Sequence, residues 1–177
     1  MAGAGGPCVT MVYRDAEARD AAIIDRIFRT SFCDTFAHLY APEDLNSFLS
    51  GFTVSDWERQ IGDAAFAFRI AEAGDQAVGY VKLGKLKLPI EANGPAMLLD
   101  QLYILQSHHG TGIAHALMDW SIEEARKRGA RELYLTVYID NHRAKRFYDR
   151  YGFEAVGSYD FMVGNHVDED IIMRKNL

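Results

Sequence analysis

Gly110 and Gly112 stand two positions apart, between an apolar run that ends at Leu105 and a stretch of helical periodicity. A strand, a tight turn and a helix in that order leave free backbone N–H groups at the helix start. The positive end of the helix dipole reinforces them, so the segment suits a phosphate or pyrophosphate. Glycine at both positions permits positive φ and a close approach of backbone to an anion. A dinucleotide fingerprint asks for a third small residue where His115 stands, and a Walker loop asks for a following Gly-Lys-Ser/Thr that is absent. His108, His109 and His115 have no further ligand at metal spacing, so no metal is expected. A glycine turn that binds nothing is the other reading the segment permits.

A second cluster follows the next strand. Asp140, Asn141, Ala144, Phe147, Tyr148, Gly152 and Phe153 form the pattern Asn-x-x-Ala-x-x-Phe-Tyr-x-x-x-Gly-Phe. With the glycine loop upstream, this arrangement resembles the GNAT acetyltransferases. The resemblance covers nearly the whole chain. It looks closest to the PaiA-like spermidine/spermine N-acetyltransferases, through Ser31 to Phe36 with Pro42 and Glu43, through Gly79 to Lys82, and through Gly157, Phe161, Gly164 and Asp170 to Met173.

What the resemblance implies is direct acetyl transfer from acetyl-CoA to an amine. A bulge in the strand at 97–105 would splay two strands apart, with the pantetheine arm paired to the backbone of Leu102, Tyr103 and Ile104. The loop of His109, Gly110, Thr111, Gly112, Ile113 and Ala114 would hold the pyrophosphate. Ser107 falls where the family usually has Gln or Arg, and His109 where Arg is common; both are departures. Asn141, Ala144 and Phe147 match cofactor-side positions. Tyr148 matches the general acid that protonates the departing thiolate, a task that suits a phenol protonated at neutral pH. Its bland alternative is a core aromatic at helical spacing from Ala144 and Tyr151.

The amine must also lose a proton before attack. Related enzymes often carry Glu where Leu98 stands here, and Asp100 lies two residues on along the same strand face. Asp100 is therefore the expected base, against the alternative of a satisfied carboxylate at the strand surface. Phe32, Asp34, Phe36, Tyr40 and Glu43 would recognise an alkylammonium acceptor by cation–π contact and charge. Phe32 and Phe36, at i and i+4, equally suit a core. The expected acceptor is a small-molecule amine, with polyamines leading. A peptide or protein acceptor, or a non-catalytic acyl-CoA sensor, are the rival readings.

The elements that must position these groups read as helices over 16–33, from Pro42, and over 54–62; strands over 65–72 and 76–85; and a strand over 97–105. A helix over 112–127 follows, then a strand at 132–138, a helix at 141–151, and strands at 153–163 and 168–174. The fold class is α/β: one GNAT domain over 9–177 after a loose tail at 1–8, with a mixed, mostly antiparallel sheet of about seven strands flanked by helices. Its 177 residues suit one domain. A net charge of −6 disfavours nucleic acid and anionic membranes as partners. Cys8 and Cys33 form no disulfide framework, as expected of a cytoplasmic protein. The apolar terminal strand permits a homodimer.

Overall fold

The computed structural model describes residues 9–177; the expected tail at 1–8, including Cys8, lies outside the described residues. The chain runs β1 (Met11–Asp15), α1 (Ala21–Phe36), α2 (Pro42–Ser50), α3 (Val54–Ile61), β2 (Ala67–Ala73), β3 (Gln76–Lys85) and β4 (Ala96–Ile104), then α4 (Ile113–Lys127), β5 (Glu132–Tyr138), α5 (His142–Arg150), β6 (Glu154–Val163) and β7 (His166–Asn176). The seven strands form one sheet in the order β1-β2-β3-β4-β5-β7-β6. Every pair is antiparallel except β4 with β5.

Both faces of the sheet are covered, which explains why β3 is buried almost end to end instead of alternating. Val78, Val81 and Leu83 pack toward Ile113, Leu117 and Met118 of α4. Tyr80, with Phe68 and Ile70 of β2, packs toward Ile24, Ile27, Phe28 and Trp57 of α1 and α3. A smaller third cluster joins Leu98, Tyr134 and Ile172.

Two boundaries depart from the sequence reading and both bear on the site. The first helix starts at Ala21, not residue 16, because Asp20 caps a short 3-10 turn at 18–20, accepting from the Glu17 N–H at 2.7 Å and pairing with Arg14 at 2.8 Å. It also continues to Phe36, carrying that ring toward the sheet. The last strand starts at His166, not 168, since Gly164 and Asn165 close a tight hairpin with Val163 opposite His166. That places Asp168 and Asp170 inside the ladder, opposite Phe161 and Tyr159 of β6.

Candidate active site

The site begins where the sheet comes apart. β4 and β5 pair only through Ala96, Met97 and Leu98 with Glu132, Leu133 and Tyr134. One residue later β4 bulges: Gln101 faces Lys82 and Leu99 faces Leu83, so Asp100 is the extra residue. From there β4 follows β3 and leaves β5. The backbone of Leu102, Tyr103 and Ile104 on the β5 side is open to an extended ligand, as at a free sheet edge.

Beyond β4 the glycine loop feeds α4. Gly110 has φ 76° and Gly112 φ 89°, with open space where a side chain would stand, so glycine is needed for backbone conformation, not room. The first helical bond back to Gly112 comes from Ala116 at 3.1 Å. The N–H groups of Ile113, Ala114 and His115 thus have no helical partner, which makes an anion site at the head of a 15-residue helix. Ile113 contributes backbone alone, since its side chain is buried in the core. The Thr111 hydroxyl is spent on the His108 carbonyl at 2.7 Å.

His109 links this loop to α5. Its Nε2 meets the Ile104 carbonyl at 2.9 Å, so that nitrogen carries the proton, and its Nδ1 accepts from Arg143 at 2.8 Å. A guanidinium from α5 therefore stands beside the loop, supplying the cation that His109 itself lacks. The groove holds about 500 Å³ and is lined by Gln106, Gly110, Gly112, Ala114, Arg143, Ala144 and Phe147, among others. Ser107 does not line it: its hydroxyl pairs with His108 at 2.9 Å, and neighbouring Gln106 faces the groove. Free helix N–H groups, glycine turns, a guanidinium and an open strand edge fit a pyrophosphate with an amide-bearing arm.

A second cavity of about 210 Å³ meets this groove at Ser31, Leu102, Ile104, Asn141, Ala144 and Tyr148, which line both. Tyr148 is half-buried there, and desolvation pushes its phenol up to about 12, so it is a proton donor at neutral pH. The Asn141 carbonyl oxygen caps α5 by accepting from the Ala144 N–H at 3.2 Å, leaving its amide NH₂ for a ligand. The Ser31 hydroxyl is buried without a hydrogen-bond partner.

Across the cavity stand Phe36, Tyr40, Phe161, Thr136 and Tyr138, with two carboxylates of β7, Asp168 and Asp170. These carboxylates are only 5% and 7% exposed. Asp168 accepts a hydrogen bond from the Tyr40 hydroxyl and meets His166 Nε2 at 3.1 Å. Burial pushes the Asp170 carboxyl up, the Thr136 hydroxyl pulls it down and the charge of Asp168 raises it again, leaving it at about 6. The acid–base groups of the cavity are therefore strongly differentiated.

Of the sequence-stated acceptor residues, Phe36, Tyr40 and Asp100 line this cavity. Phe32 lines it too, but chiefly as core, with its ring between Phe28, Phe36, Tyr40 and Phe48. Asp34 faces the donor groove instead, and Glu43 is exposed outside both cavities. Asp100 is engaged by Lys82 at 2.8 Å and Lys87 at 3.0 Å. Burial alone would raise its carboxyl, but the two ammonium charges outweigh that and hold it below the ordinary range, which suits a structural ion pair better than a base. Arg143 and Asp168 are residues the sequence reading did not single out, and Asp170 entered it only within the terminal Asp170 to Met173 match, with no role in the site.

The sequence pattern of the Acetyltransferase (GNAT) family matches residues 26–153. The chain belongs to this family. It is an acetyl-CoA-dependent N-acetyltransferase. Among curated relatives of this GNAT chain, an uncharacterized N-acetyltransferase of Mycobacterium tuberculosis is 33% identical over 138 residues, 77% of this chain and 85% of the relative. Among solved structures, a PaiA N-acetyltransferase from Thermoplasma acidophilum, in complex with coenzyme A, superposes with a TM-score of 0.76 at 22% identity, covering 95% of this chain and 99% of that one. A ribosomal-protein-alanine N-acetyltransferase from Brucella melitensis superposes with a TM-score of 0.74 at 24% identity, covering 94% and 99%. At these identities the neighbours show the fold alone, so the acceptor must be argued from the cavity.

Proposed function

We propose that this enzyme acetylates a primary amine of a small cationic molecule, with polyamines the leading class. The observation that carries the reading is the pair of buried carboxylates, Asp168 and Asp170, in a cavity that meets the donor groove at Tyr148. Among the described residues, the lining of that cavity includes no lysine or arginine. Buried anions without a fixed cation are costly unless a ligand supplies one. The aromatic walls of Phe36, Tyr40, Tyr138 and Phe161 suit an alkylammonium body. The donor's pyrophosphate binds at the head of α4, its arm runs along Leu102, Tyr103 and Ile104 beside Asn141, and Tyr148 protonates the leaving thiolate.

The test is CoA release from acetyl-CoA, followed by thiol detection, against spermidine, spermine, putrescine, single amino acids and short peptides. Release with the polyamines at the lowest KM supports the proposal. Turnover with peptides alone assigns a peptide acceptor, and acetyl-CoA binding without release from any amine assigns a sensor.

A further inference from the structure

The acceptor arrives as an ammonium, since an alkyl amine resembling a lysine side chain has a pKa near ~10.4. Some group in the cavity must take its proton before the nitrogen can attack. Asp100, the expected candidate, is already bound to two ammonium groups. Asp168 is committed to Tyr40 and His166. Asp170 is different. It stands on β7 opposite Tyr138 of β5, the strand that borders the splay, while Asp168 lies one step outward beyond the end of β5.

The titratable and charged groups that line the cavity with Asp170 are Tyr138 from β5, Tyr103 and Asp100 from β4, His109 from the glycine loop, Tyr148 from α5, Tyr40 and Asp168, with His166 behind Asp168. Tyr103 lines the cavity together with Tyr148, Asp100 and Asp170, and burial raises its phenol. The phenol that would protonate the thiolate and the Asp170 carboxylate, held by the Thr136 hydroxyl alone, therefore line one cavity.

We propose that Asp170 is the catalytic proton acceptor for the incoming ammonium, and that Asp168, fixed by Tyr40, is the anion that steadies the acceptor's cationic body. This rests on the amine-acetyltransferase reading above. The Asp170 carboxylate takes one proton from R–NH₃⁺, and the freed lone pair forms the N–C bond to the thioester carbonyl. As the tetrahedral adduct collapses, the C–S bond breaks and the thiolate takes the Tyr148 proton. The nitrogen's second proton returns to the Tyr148 phenolate, and Asp170 gives its own to solvent. The sum is one amide, one thiol and one released proton.

The experiment is the pH profile of kcat and kcat/KM for wild type, Asp170→Asn and Asp170→Glu, with putrescine and with an amine whose conjugate acid is already neutral at the assay pH. Wild type should show an acid limb near pH 6, the value to which Asp170 is raised. Asp170→Asn should lose that limb and about 100-fold in kcat with putrescine, the range of a missing general base. It should lose far less with the neutral amine. Asp170→Glu should restore much of the rate with a shifted limb, which keeps the question open to decision if the Asn variant misfolds. An unchanged acid limb in both variants, or a rise in KM alone, overturns the assignment while leaving the amine acceptor intact. A wild type inactive on every amine overturns the acceptor reading and this inference with it.

Discussion

Tyr148 stands at the junction of the two cavities with its phenol pushed up to about 12 by burial. Tyr148→Phe keeps the ring that packs on Phe147 and Phe153 and removes only the hydroxyl. We expect kcat to fall ~100-fold or more, within the range for lost general-acid catalysis, with acetyl-CoA affinity by calorimetry within about twofold. Asp170 carries a different prediction, about stability. Its folded pKa of about 6 lies above the ordinary carboxyl value of 3.8, so between those pH values the folded chain binds more protons than the unfolded one. Its contribution is favourable below ~pH 4 and is lost as pH rises through about 6, where the buried group ionises. Asp170→Asn should therefore stabilise the fold at pH 7.5 by about 1–3 kcal/mol. Thermal unfolding should show a Tm several degrees higher at pH 7.5, and the gain should vanish below ~pH 4. A rise in stability joined to a loss of rate is the mark of a strained functional group.

At the scale of elements, the donor groove depends on how α4 starts and on what α5 brings to it. Arg143 reaches the loop through His109, so Arg143→Ala removes the guanidinium bonded to the loop while leaving the N–H groups of α4 in place. Acetyl-CoA affinity should weaken about tenfold, as for the loss of one charge-assisted contact to phosphate. The wild-type Kd should also rise more steeply with salt than that of the variant. Gly112→Ala tests geometry instead. With φ at 89° and nothing nearby for a Cβ to strike, its penalty is backbone strain alone. That strain is relieved by turning the peptide, which misaims the N–H groups of Ile113 and Ala114; the variant should fold with a small loss, about 1 kcal/mol, yet bind acetyl-CoA poorly. Both the loop and the helix after it were legible in the sequence, because glycine spacing and a helical apolar stripe are local signals. The start of α1 was not, because Asp20 answers to Arg14 on β1 and not to the helix periodicity.

For the whole molecule, the order of strands and helices follows from alternation and periodicity along the chain, and the sequence reading placed the elements within a few residues; the sheet of about seven strands came with the family resemblance. What it missed depends on contacts that span the chain. Tyr40 meets Asp168 across 128 positions, and Arg143 meets His109 across 34. One signal was available: with a period of two, Asp168 and Asp170 share a face of β7 with the buried Ile172, and acids on a core-facing stripe ask for an explanation. The larger consequence lies in the three rungs by which β4 holds β5. Strands β1 to β4 form one half of the sheet and β5 to β7 the other, and past Leu98 the seam between them is unzipped. In the proposed binding mode the donor substrate fills the missing stretch of that seam. Acetyl-CoA should raise Tm with the logarithm of its concentration, the added stability reaching about 2.7 kcal/mol at a hundredfold excess over Kd, and should slow amide exchange at residues 99–104. The sheet is thus whole only while a donor is bound, and each release of CoA leaves it open for the next.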